Sequence, residues 1–163
     1  MREYDEYDKW RISESRAWLK HVREVWRDKQ RISSSLDDTL EVIRRLAEPR
    51  GIDYARPAVS TSANVDVVAD VVAAMDELAQ EWRDASMRVA DEEREARRVI
   101  AKVDNAAYRQ LLTLRYLNGK GWDDVAREMN YSVDYCFELH DQAALALHDH
   151  LPYGWRTRIP SAQ

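Results

Sequence analysis

Apolar residues recur along this chain at helical intervals, and the intervals change character twice. From Ser13 to Glu48 the apolar positions are Trp18, Val22, Val25, Ile32, Leu36, Leu40, Ile43 and Leu46. They step mostly by three or four, the spacing at which side chains share one face of a helix. Lys and Arg fill the gaps, as on a helix with a single buried stripe. Ser33, Ser34 and Ser35 are indifferent helix formers and predict a bend or fraying in the middle. Pro49 and Gly51 end the segment. Residues 49–64 have the Pro, Gly and Ser/Thr content of a linker, after which Asn64 is placed to cap a second helix.

The second segment is the most regular in the sequence. Val68, Met75, Trp82, Val89, Ala96 and Val103 recur every seven residues, beside a companion row of Val72, Ala79, Ser86, Glu93, Ile100 and Ala107. Ser86 and Glu93 are the weak points of that row. A helix from Val65 to Val103 would be roughly 58 Å long at ~1.5 Å per residue. One narrow stripe of that length needs a partner helix. The first segment supplies one of similar length, so the pattern predicts an antiparallel helical hairpin whose stripe also suits packing against a second copy as a homodimer.

After Asp104, a good N-cap residue, the pattern shortens into three helices at about Asn105–Leu117, Trp122–Met129 and Ser132–His148. The last two fit a helix-turn-helix. Ala126 is the small residue where two such helices cross. Asn130, four places later, tolerates the left-handed conformation of a tight turn. Ser132 caps the third helix, and Cys136 and Leu139 are its apolar anchors, with Ala143 and Leu147 following inward. The expected fold class is all-α: an arm over residues 1–103 with its linker at 49–64, a helix-turn-helix domain over 104–150, and a tail over 151–163.

Composition narrows the function. Four Gly and four Pro in 163 residues are too few for a β-sandwich or barrel. A net charge of −5 excludes binding nucleic acid by bulk basicity, though not through a local basic face. The single cysteine, Cys136, excludes an internal disulfide and a cysteine-cluster zinc site, and its position suits a small hydrophobe in the core. No apolar run approaches the roughly 18 residues of a membrane span, and the N-terminus is charged, so a soluble cytoplasmic protein without a signal peptide is expected. No Gly-rich phosphate loop or paired catalytic carboxylates occur, and Ser132 has no base beside it. An enzyme is not expected, nor a cofactor. His148 and His150 form too sparse a pattern to hold a metal. His140 reads as a partly buried histidine bonded to a neighbouring helix, and Trp122 and Tyr116 as core.

The stretch RQLLTLRYLNGKGWDDVAREMNYSVDYCFELHDQAALALHDHL resembles the C-terminal domain of a family of small phage and prophage proteins of unassigned function. That domain is similar to region 4 of bacterial sigma factors and to ArpU- and RinA-type phage transcriptional regulators. The matching elements are Leu111-Leu112, Arg115-Tyr116-Leu117, Gly119, Trp122, Val125-Ala126, Met129, Tyr131-Ser132, Leu139-His140 and Ala143. The resemblance implies a DNA-binding or transcription-associated role. It also sets a contrast, because such third helices usually expose Arg or Lys, whereas here no Lys or Arg occurs from Glu128 to Trp155.

Two functions are therefore expected. In the first, the chain is a transcription regulator on duplex DNA. Ser132, Val133, Asp134, Tyr135, Phe137 and Glu138 then face base edges, and Arg109, Arg115, Lys120 and Arg127 contact phosphates. In the second, an acidic, aromatic third helix docks on RNA polymerase or another phage protein without binding DNA by itself.

Overall fold

The computed structural model describes residues 3–47 and 61–156, with side chains at 42–47, 61–72, 74 and 78 outside the described set. Helix α1 spans Glu6–Ala47, α2 Thr61–Ala101, α3 Ala106–Leu112, α4 Trp122–Met129 and α5 Val133–Leu147. A π-helical segment, Thr113–Leu117, follows α3, and short 3₁₀ turns cover His148–His150 and Tyr153–Trp155. No strand occurs among the described residues, so the fold is all-α.

Helix α1 begins at Glu6, ahead of the periodic segment that starts at Ser13, because the Asp5 carboxylate accepts from the Asp8 backbone N–H at 2.7 Å and opens the first turn there. It also runs unbroken through Ser33–Ser35. Helix α2 begins at Thr61, so Asn64 lies inside the helix and does not cap it. Helix α3 is capped by Asn105, not Asp104. The Asn105 Oδ1 accepts from the N–H groups of Ala107 and Tyr108 at 2.9 and 3.3 Å. Residues 49–60 of the expected linker, and 157–163 of the tail, lie outside the described residues.

The chain divides into two compact units, residues 29–88 and residues 1–28 with 89–163. The expected boundary between residues 103 and 104 lies within the latter. In the 29–88 unit the Trp82 indole N–H donates to the Ile32 carbonyl at 3.0 Å, which half-buries the largest residue of the seven-residue row. Leu40 is 53% exposed, so α1's stripe is incompletely covered there.

The other unit holds the core. Trp18, Leu19 and Val22 of α1, Ala96, Val99 and Ile100 of α2, and Val103 just beyond it join Leu111, Leu112, Val125, Cys136, Leu139 and Leu147 in one buried cluster. Glu93, a weak point of the α2 row, is kept tolerable by Arg97, whose guanidinium donates to it twice at 2.6 and 3.2 Å. Leu19 is fully buried although it lies outside the predicted α1 stripe.

The π-helical turn ends when the Asn118 N–H reaches back to the Thr113 carbonyl at 3.0 Å, and Gly119 then reverses the chain at φ +68°. A Cβ there would lie inside the Trp26 ring of α1. Glycine is required twice over, by its backbone angle and by the indole against it. Gly119→Ala should therefore cost about 2–4 kcal/mol, the sum of left-handed strain and overpacking, in urea unfolding of the full chain. In a Trp26→Ala background the same substitution should cost only the strain, about 1–2 kcal/mol.

Candidate nucleic-acid interface

Helices α4 and α5 are joined by the three residues Asn130, Tyr131 and Ser132. Asn130 takes the left-handed conformation, φ 56° and ψ 42°. Its N–H donates to the Arg127 carbonyl at 3.3 Å and the Tyr131 N–H to the Ala126 carbonyl at 2.9 Å. This is the double bond pattern that satisfies the last carbonyls of a helix while turning the chain sharply. Ser132 is extended, and its Oγ accepts from the Tyr135 N–H at 3.2 Å, capping α5. Ala126, Met129, Cys136, Leu139 and Ala143 are buried, so the small residue, the turn residue, the cap and the anchors all stand where the spacing places them.

Burial pushes the Cys136 thiol up, which keeps it neutral and inert. His140 is buried too, with Nε2 2.7 Å from the Tyr116 hydroxyl of the π-helical segment. Burial also pushes the Tyr116 phenol up, so the hydroxyl stays protonated. The His140 imidazole, whose Nδ1 lies 3.7 Å from the Asp141 carboxylate, and then the Arg16 guanidinium of α1 hold Asp141 below the usual carboxylate range.

The outer side of α5 carries the residues proposed to face bases. Ser132, Asp134, Tyr135, Phe137 and Glu138 are exposed and Val133 is half-buried. At 100° per residue, Asp134, Glu138 and Asp141 fall in one row on this side, flanked by Tyr135 and Phe137. The aromatics are not loose: Phe137 packs on Trp122 with ring centroids 4.8 Å apart, and Tyr131 meets Tyr135 edge-on at 4.9 Å.

The four residues expected to contact phosphates divide into two pairs. Arg109 donates to the carbonyls of Val103 and Asp104 at 2.5 and 2.7 Å and so ties down the connection between α2 and α3. Arg115 donates to the Lys120 carbonyl at 2.7 Å and lies over the Trp122 ring at 4.6 Å. Both are anchored to the scaffold. Lys120 is ion-paired with Glu128, and Arg127 with Asp124 at 2.9 Å; Arg127 and Asp124 are well exposed.

Sequence reasoning missed what α1 brings. Arg16 pairs with Asp141 of α5, and an Arg23 nitrogen lies 3.4 Å from the Arg115 carbonyl. Near the N-terminus of α1, Glu14 meets His148 Nε2 at 2.9 Å, while Arg11 donates to His148 Nδ1 and to Asp149. The His148 ring is thus committed to α1.

A protein-family model matches residues 59–148, from the start of α2 to the end of α5. The chain belongs to the DUF1492 family of proteins of unknown function. No curated protein and no solved structure matches it. The DUF1492 match takes in the α4–turn–α5 pair and leaves out α1, although α1 supplies Trp18, Leu19 and Val22 to the core shared with that pair and Trp26 to the Gly119 turn before it.

Removing the Tyr116 hydroxyl leaves buried His140 Nε2 without its hydrogen-bond partner, so Tyr116→Phe should cost about 1–3 kcal/mol in denaturant unfolding. Acid should act at Asp141. Its folded carboxyl titrates below its unfolded value, so its stabilisation is present above the unfolded value and is lost as pH falls through the folded one. Asp141→Asn should therefore flatten the loss of thermal stability between about pH 5 and pH 2.

Proposed function

We propose that this DUF1492 protein is a DNA-binding transcription regulator in which α4 and α5 act as a helix-turn-helix and α5 reads duplex DNA. The observation that carries this reading is the Asn130 turn: a left-handed residue, a buried Ala126 and a capped, outward α5 in one constellation. Val133 suits a thymine methyl, and Glu138 or Asp134 suits a cytosine amino group. Arg127 and Lys120 flank them as phosphate contacts that exchange a carboxylate partner for DNA. Dimerisation through the seven-residue row of Met75 and Trp82 would present two such helices to two half-sites. A phage-type regulator acting in the cytoplasm fits this reading and the resemblance of the C-terminal helices. No helix among the described residues is long and apolar enough to cross a membrane.

A second reading is favoured by one specific observation. The row of Asp134, Glu138 and Asp141 would face phosphates with like charge, and Tyr135 and Phe137 are 44% and 45% exposed. That surface suits a protein, such as RNA polymerase or another phage protein, docked on α5.

Gel shifts of the full chain against promoter-containing duplex DNA over a salt series separate the two. On the DNA reading, Arg127→Ala weakens binding to all sequences alike and lowers the salt slope by about one. Glu138→Ala relaxes preference at a single base pair without weakening non-specific binding. If Glu138→Ala and Tyr135→Ala leave every DNA affinity unchanged but abolish binding to purified RNA polymerase, the docking reading replaces it.

A further inference from the structure

The exposed cations near α5 that have no carboxylate partner are not on α4, whose Arg127 pairs with Asp124, or on α5, which has no Lys or Arg. They are on α1. Arg16, Lys20, Arg23 and Arg27 are spaced i, i+4, i+7 and i+11, which places them within about 60° of one another around the helix. Over the 11 steps from Arg16 to Arg27 the row extends about 16 Å, comparable to the axial rise of about five phosphates along one DNA strand.

The row lies beside the candidate interface. Arg16 is ion-paired with Asp141 on α5, and Arg23 reaches the Arg115 carbonyl. Arg23 and Arg27 are both near enough to Arg115 to push its guanidinium pKa down, after the larger effect of its own burial. Lys20 and Arg27 are exposed and make no hydrogen bond or ion pair among the described residues. Like charges held this close are unfavourable in the free protein. A phosphate chain laid along them removes that repulsion and releases its own counterions.

We infer that the Arg16–Lys20–Arg23–Arg27 row of α1 is a phosphate-backbone contact for duplex DNA, supplying the electrostatic attraction that acidic α5 lacks. The inference rests on the DNA reading of α5 and assigns its sequence-independent part to another helix. It also gives Arg16 a second role. By neutralising Asp141, it removes one of the three carboxylates that would otherwise face the same phosphates.

The test uses the full chain and a mixed-sequence duplex of about 25 base pairs, titrated between 50 and 200 mM salt. Lys20→Gln with Arg27→Gln should lower the salt slope by about two and weaken binding roughly tenfold per lost contact near 0.1 M salt. Lys20→Arg should keep the slope, and circular dichroism should be unchanged in every variant because both side chains are exposed. If the double variant keeps the wild-type slope while Arg127→Gln lowers it, phosphates are held by α4. The inference then fails while the DNA reading stands. If the wild-type chain shows no salt-dependent binding to any duplex, both fail together. Binding to phosphatidylserine vesicles but not to duplex, lost in the double variant, would reassign the row to a membrane surface.

Discussion

The structure depends on one shared hydrophobic core to which the N-terminal half of α1 and the C-terminal end of α2 contribute. The last three helices hold fewer than 50 residues, and a unit that small buries too little apolar surface to be secure alone. Trp18, Leu19 and Val22 from α1, Ala96, Val99 and Ile100 from α2, and Val103 after it supply the missing cover over Leu111, Val125 and Cys136. That constraint explains several local choices. Gly119 must lack a Cβ because Trp26 occupies its space, and His148 must turn inward because Glu14 and Arg11 fix both ring nitrogens. The α4–turn–α5 pair is therefore held in place by residues 100 or more positions earlier in the chain.

The electrostatics follow from the same packing. With α1 against α5, a cationic helix face stands next to an anionic one, and Arg16–Asp141 ties them at the seam. An exposed pair of this kind contributes little to stability. Its consequence here is to place the arm's positive charge beside α5. The four C-terminal cations are poorly suited to supply that charge by themselves. Two are held by main-chain carbonyls and two by α4 carboxylates.

Local patterns made much of this legible in advance. The turn between α4 and α5 is readable because Asn at a left-handed position, Ser at a cap, Ala at a crossing and the apolar anchors Cys136 and Leu139 each have a local physical reason, and these four reasons coincide within 14 residues. The seven-residue row of α2 likewise specifies a long helix. Asn64 and Asp104 were misplaced as caps because several polar residues near each boundary can accept the same N–H groups, and only the final chain path selects among them. The α1 contribution was hidden for a different reason. A basic residue every three or four positions reads as a solvated helix face until a second element is known to lie beside it. The π-helical turn at Thr113–Leu117 has no sequence signal of its own; it brings Tyr116 to His140, a contact that exists only in the folded core.

The central claim is that α5 faces DNA while the rest of its unit holds it there. Mapping ultraviolet cross-links between the full chain and a bromouracil-substituted duplex tests this directly. The account predicts cross-links in the peptide around Val133–Glu138 of α5. Cross-links confined to residues outside that peptide, or none at protein concentrations where the duplex is fully bound, would contradict it.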